Sequence, residues 1–181
     1  MVEYRLTLPL STEKIKNLQI GDIVYLTGKL FTARDEAHQR LLHTSSNDLP
    51  FQIDSLALYH CGPLMKKEKD TWKVIAAGPT TSSRLELFES NILEKFSGLN
   101  VIIGKGGMGK GTLSALKIRG VYLSYTGGAA ALAADQINRV IDVFWLDELG
   151  MAEAIWMFEV SSFGPLVVGM DAHGHSLFHK E

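Results

Sequence analysis

The run Val101-Ile102-Ile103, leading directly into Gly104-Lys105-Gly106-Gly107-Met108-Gly109-Lys110-Gly111-Thr112, constrains this chain more than any other segment. Three apolar residues before a glycine cluster read as a short interior strand, and the glycines as a tight turn into a helix over Thr112 to Arg119. The same rhythm surrounds it. Trp72 to Ala77 is a predicted strand, and Leu85, Phe88, Ile92, Leu93 and Phe96 then fall at helical spacing. Val121 to Tyr125 is a strand, and Gly127-Gly128 opens an alanine-rich helix whose apolar face continues through Ile137, Val140, Ile141 and Phe144. Strand, helix and strand in alternation predict an α/β fold with parallel pairs.

The first third is richer in strands. Val2 to Leu8 alternates apolar and polar residues, Ile23 to Thr27 and Ser55 to His60 are strand-like, and Lys66 to Asp70 reads as a hairpin tip. Between them Thr32 is placed to cap a helix running to about His43. Ala154 to Val160 and Leu166 to Met170 are predicted as two further strands, with Asp171 to Gly174 turning into a last short one. These strands predict an additional β layer within one domain spanning residues 1–181, with no internal repeat or linker.

Composition removes several function classes. Apolar residues make up 46% and charged residues 21% of 181, which suits a packed core rather than a disordered chain. A net charge of −2 argues against nucleic acid as the partner. One cysteine excludes a disulfide framework and any zinc or iron–sulfur site built from this chain's thiolates alone, so no metal ligands are assigned to it. Glu3 and Arg5 interrupt the apolar start, which is no signal-peptide core, and no uncharged apolar run approaches roughly 18 residues. The expectation is a soluble, cytoplasmic chain with no membrane partner.

Three segments place cations in turns that follow predicted strands: Arg34 in Phe31 to His38, Arg84 in Ala77 to Arg84, and Lys105 in the glycine loop. Arg34 and Arg84 each stand near a helix amino end, where a cation is disfavoured unless an anion shares the site. Two guanidinium groups and an ammonium suit a small dicarboxylate. The glycine loop also invites a nucleotide reading. Gly104, Gly106 and Gly109 satisfy G-x-G-x-x-G, but the acid expected about 20 residues later is missing, Asp135 being the next. Gly104 to Lys110 spells most of a phosphate loop, but Gly111 stands where a hydroxyl is required and Thr112 comes one residue late.

Gly78-Pro79-Thr80-Thr81-Ser82-Ser83-Arg84, Arg34-Asp35-Glu36-Ala37-His38 and Gly104-Lys105-Gly106-Gly107-Met108-Gly109 resemble the signature segments of the iron–sulfur-dependent class I hydro-lyases. The resemblance is to the beta subunits of fumarate hydratase and L-tartrate dehydratase. It extends through Gly150-Met151-Ala152-Glu153-Ala154-Ile155-Trp156 to the closing strands. It implies a swivelling three-layer β/β/α domain, and a partner alpha subunit that holds a [4Fe-4S] cluster through three cysteines. Carried over, Thr80 matches the proton-transferring position. Arg34, Arg84 and Lys105 match positions that bind substrate carboxylates or stabilise the transition state, and Thr81 lies beside them as a substrate contact. Cys61 matches no cluster ligand, and Leu85 stands where methionine is frequent in the family. Thr80 and Thr81 also suit a plain capping role at the helix near Ser82, and His38 suits packing against or orienting Arg34.

Half a catalytic site implies a partner-facing surface and a hetero-oligomer with dimeric pairing. The resemblance leads to a hydro-lyase subunit, most specifically of fumarate hydratase, with L-tartrate dehydratase as the alternative. A phosphate-loop ATP-binding regulator and a non-catalytic scaffold are the readings from other classes.

Overall fold

The computed structural model describes residues 1–178. Its elements, in order, are β1 (Glu3–Thr7), α1 (Thr12–Lys16), β2 (Ile23–Thr32), α2 (Asp35–His43), β3 (Ala57–Tyr59), β4 (Leu64–Glu68), β5 (Thr71–Ala76), α3 (Glu86–Lys95), β6 (Val101–Gly104), α4 (Lys110–Leu116), β7 (Val121–Tyr125), α5 (Ala130–Asp135), β8 (Ile137–Phe144), α6 (Leu146–Leu149) and β9 (Ile155–Met170). Short 3-10 turns occupy Ser46–Asp48 and Ser82–Leu85. The α/β class expected from the alternation of strands and helices is the one observed.

Seven strands run β1-β2-β3-β6-β7-β9-β8, and β2 also pairs with β9, so β2, β3, β6, β7 and β9 form a closed ring. The pairs β1–β2, β2–β3, β3–β6 and β6–β7 are parallel, while β9 runs antiparallel to β2, β7 and β8. Strand alternation divides the core in two. Ala57, Tyr59, Val101, Ile103, Val121, Leu123, Tyr125, Trp156, Phe158 and Phe163 fill one cluster, joined by Met65, Trp72 and Val74 of the β4–β5 hairpin. Their neighbours Leu58, Ile102 and Tyr122 face the other way, against Ala37 and Leu41 of α2, Ile92 and Leu93 of α3, and Leu116 of α4. Being buried on both faces is why β3, β6 and β7 read as continuous apolar runs. Two cores between helices, parallel strands and the β9 wall give the three-layer β/β/α arrangement.

Two elements depart from the sequence reading. The alanine-rich helix stops at Asp135, and Ile137–Phe144 is a strand paired with β9, not a continuation of the helix. Four of those eight residues, Ile137, Val140, Ile141 and Val143, are β-branched, which suits a pleated edge with a waiting partner. The two closing strands are also one, the 16-residue β9. It bends where Ser162 takes φ +50 and Gly164 φ +153, so one end meets β8 and the second half of β2, and the other meets β7 and the first half of β2. A side chain at Gly164 would meet the Val24 carbonyl at 2.7 Å, so the crossing needs a residue without one. Beyond the Asp171–Gly174 turn only a single bridge, Met170 to Ser176, stands where a last short strand was expected among the described residues.

Phe163 is fully buried and packs edge-on to Tyr59 and Tyr125, with ring centres 5.3 Å and 5.1 Å away. Phe163→Ala should therefore lower stability by about 3–5 kcal/mol, read as a shifted midpoint in guanidinium denaturation.

Candidate active site

Parallel strands deliver the ends of β2, β3 and β6 to the same edge of the sheet, and backbone hydrogen bonds draw the Gly78–Arg84 loop onto that edge. Pro79 bridges Cys61, Thr80 donates its amide to the His60 carbonyl at 2.8 Å, and Thr81 bridges Lys105. The Ser82 amide donates to the Lys105 carbonyl at 3.0 Å, and the Lys105 amide returns a 3.0 Å bond to the Ser82 hydroxyl. Thr80, Thr81 and Lys105 thus share one backbone scaffold.

The arginines converge through a carboxylate. Arg84 donates to Asp35 Oδ2 at 3.1 Å, and Arg34 Nη2 lies 4.0 Å from the same oxygen. Arg34 Nε also faces Glu153 Oε1 at 3.3 Å, while Glu153 Oε2 accepts the Glu36 amide at 3.0 Å and so caps α2 from outside. Arg34 lies against Gly62, where an added Cβ would stand 2.5 Å from Arg34 Cδ and 2.6 Å from the Ala152 carbonyl. Lys105 is half-buried, its side chain runs beside Gly127, and its ammonium has no ion-pair partner among the described residues. The Thr80 and Thr81 hydroxyls make no hydrogen bond among the described residues, and Thr81, at the start of the 3-10 turn, makes no capping bond. The capping role that Thr80 and Thr81 could have had is therefore not the one they fill. Neither is Thr32 a cap: its hydroxyl accepts the Trp156 amide at 3.0 Å.

The expectation that helix amino ends would receive an anion needs correcting. Glu153 occupies that place at α2. At α4, Glu86 accepts the Gly109 amide at 2.6 Å, the Thr112 amide at 3.2 Å and the Thr112 hydroxyl at 2.7 Å. A carboxylate of the protein fills the position a nucleotide phosphate would need, and it holds the hydroxyl that would otherwise face magnesium. The phosphate-loop reading is not favoured.

Beneath the edge lies a network of which sequence reasoning singled out only His38, as packing against or orienting Arg34. Glu89, His38, His60 and Ser82 are all fully buried. Glu89 Oε2 meets His60 Nε2 at 2.9 Å and His38 Nε2 at 3.2 Å. His38 Nδ1 holds the Arg34 carbonyl at 2.6 Å, and His60 Nδ1 meets the Ser82 hydroxyl at 2.9 Å. Tyr122 joins at 3.0 Å from Ser82 and 2.9 Å from the Gly106 carbonyl. Burial raises the Glu89 pKa, but the attraction of His60 and hydrogen bonds from both histidines outweigh it and hold the carboxyl at about 2. Burial lowers the His60 pKa despite the attraction of Glu89. The available signal was Glu89's position: it follows Leu85 by four residues and precedes Leu93 by four, placing a charge within an apolar helical stripe.

Cys61 is fully buried and unpaired, and burial pushes its thiol well up, so it behaves as a small apolar residue and not as a ligand. No helix among the described residues is long and apolar enough to cross a membrane.

Comparison with known proteins settles the kinship. The sequence model described as Fumarase C-terminus matches residues 1–181. The chain belongs to that family. It is 47% identical over 174 residues to a protein of Methanocaldococcus jannaschii provisionally named L(+)-tartrate dehydratase subunit beta, covering 94% of this chain and 89% of that one. It is 39% identical over 173 residues to the L(+)-tartrate dehydratase subunit beta of Escherichia coli K12, covering 95% of this chain and 85% of that one. A provisionally named class I fumarate hydratase of Geobacillus stearothermophilus is 45% identical over 174 residues, which cover 95% of this chain but 33% of that protein. Fumarase C-terminus relatives thus carry hydro-lyase names, both as separate beta subunits and as a longer single chain.

Two predictions follow from the geometry. Gly62→Ala should cost about 1–3 kcal/mol, seen as a lower Tm, because the Ala152 carbonyl is backbone and Arg34 must shift. Acid should also destabilise the fold. Glu89 is held below its usual 4.5, so its contribution is present above that pH and fades as pH falls toward 2. His60 is held below its usual 6.5, so the unfolded chain takes up that proton first. Tm should decline steadily below about pH 6.5, and a Tm that is flat from pH 7 to 4 would contradict both assignments.

Proposed function

We propose that this chain is the beta subunit of a hydro-lyase acting on a small dicarboxylate, most specifically the reversible hydration of fumarate to L-malate, and that it completes its site with an alpha subunit in paired assemblies in the cytoplasm. The observation that carries the reading is the meeting of Arg34, Arg84, Lys105 and Thr80 at one sheet edge, joined by Asp35 and by the Thr81–Lys105 pairing. The family's [4Fe-4S] cluster does not fit this chain: its single cysteine is buried, with its thiol pKa raised. The cluster in this reading is the partner's, and this chain supplies the cationic half of the site.

Hydration and dehydration move a weakly acidic proton on the carbon next to a carboxylate, and negative charge builds on that carboxylate. Arg84 and Lys105 stabilise this charge as preorganised cations, while Arg34 and Thr81 hold the substrate. The Thr80 hydroxyl carries the proton at the reacting carbon. A free hydroxyl is a very weak acid, so this role needs the nearby cations to stabilise its deprotonated form. The Thr80 hydroxyl and the Lys105 ammonium, neither with a side-chain partner among the described residues, support the assignment.

A second reading, L-tartrate dehydration, is supported by the names of the two relatives that match this chain along 89% and 85% of their own length. Assaying the chain mixed anaerobically with a reconstituted alpha subunit, on fumarate and L-tartrate in parallel, separates the two. Activity on neither rejects the hydro-lyase reading. In the active pair, Arg84→Ala should lower kcat/KM on the order of a hundredfold, and unchanged kinetics would remove Arg84 from the site.

A further inference from the structure

Glu89, His38 and His60 form a fully buried cluster of titratable groups, and the roles assigned to the surface cations leave it unused. Its hydrogen count follows from what each atom faces once Glu89 is held as the carboxylate. The Arg34 carbonyl can only accept, and it already receives the His38 amide at 2.9 Å, the first backbone bond of α2. His38 Nδ1, 2.6 Å from that oxygen, must carry a hydrogen too. Glu89 Oε2, as a carboxylate oxygen, requires a hydrogen from each Nε2 facing it, while Oε1 has no partner among the described residues. His38 therefore holds hydrogens on both nitrogens. His60 commits Nε2 to Glu89, and because burial disfavours a charged ring its Nδ1 is bare and accepts the Ser82 hydroxyl hydrogen. The Ser82 lone pairs are then free for the Lys105 amide at 3.0 Å and the Tyr122 hydroxyl at 3.0 Å, whose hydrogen is shared with the Gly106 carbonyl.

We propose that Glu89, His38 and His60 are positioning residues: a buried relay in which a doubly protonated His38 fixes the Arg34 backbone while a singly protonated His60, through Ser82, fixes Lys105. The geometry ties together three loops that lie far apart in the sequence. His38 pins the start of α2, His60 follows β3 and receives the Thr80 amide on its own carbonyl, and Ser82 bridges the Arg84 loop to the glycine loop. A positive ring in the first turn of α2 opposes the helix dipole, and the Glu89 carboxylate against it offsets that cost. Gly104 makes the join possible, because a side chain there would overlap the Ser82 hydroxyl and crowd His60 Nδ1 at 2.9 Å. The same three side chains could hold a divalent cation, since their ligand atoms lie within 4.8 Å of one another, so metal content is part of the test.

The link to substrate rests on the reading of Arg34 and Lys105 as carboxylate-binding residues, but the protonation pattern does not, and the test reads the two separately. Nitrogen-15 NMR of histidine rings in the full chain, without substrate or partner, should show His38 protonated on both nitrogens and His60 on Nε2 alone. A bare nitrogen on His38, or a stoichiometric divalent metal in the purified chain that is lost in Glu89→Gln, overturns the relay. In Glu89→Gln, His38 should lose its Nε2 hydrogen while the far-UV circular dichroism is kept. In the active pair the same variant should lower kcat/KM by about tenfold to a hundredfold through misplacement of the cations, with the larger part in KM. Wild-type kinetics alongside the expected ring signatures would show the relay to be present but not to position the site. Inactivity of the wild-type pair would count against the hydro-lyase reading alone.

Discussion

Antiparallel pairing of β9 with β2 is the constraint on which the rest of the molecule depends. It closes five strands into a ring, leaves β1 and β8 as the outer strands, and gives the aromatic side chains of β3, β7 and β9 a common interior. Because β2, β3 and β6 are parallel within that ring, their carboxyl ends lie side by side, and loops distant in sequence become neighbours.

At that edge the chain neutralises its own helix termini. Glu153 caps α2 and Glu86 caps α4, each reaching over from a different element. Where an α/β sheet often leaves amide groups for a phosphate, this one fills them with its own carboxylates. Asp35 holds Arg84 close to Arg34, so the two positive groups are neighbours without being left wholly uncompensated. Lys105 alone among the three has no carboxylate beside it in the described structure.

Polar burial beneath the edge complements this. A carboxylate with no solvent exposure is costly unless its charge is answered, and Glu89 answers it with two imidazoles, each anchored at its far nitrogen by a loop of the site. The loops are therefore held from below by hydrogen bonds.

The sequence by itself determined the strand that feeds the glycine loop, the helices α2 and α3 and the hairpin around Lys69, because periodicity and turn chemistry are local properties; it also singled out Arg34, Arg84 and Lys105 as cations in turns, while Thr80 and Thr81 came in through the family resemblance. It could not separate the end of α5 from the start of β8, since apolar spacing at Ile137, Val140, Ile141 and Phe144 fits a helix until the β9 edge is present to pair with it. Nor could it show that Glu86 and Glu153 cap helices they do not belong to, or that Glu89 meets His38 from 51 residues away. Hydrogen bonds between distant segments leave no period in a sequence. Only the closed ring, by fixing where the strands end, decided which charges face one another.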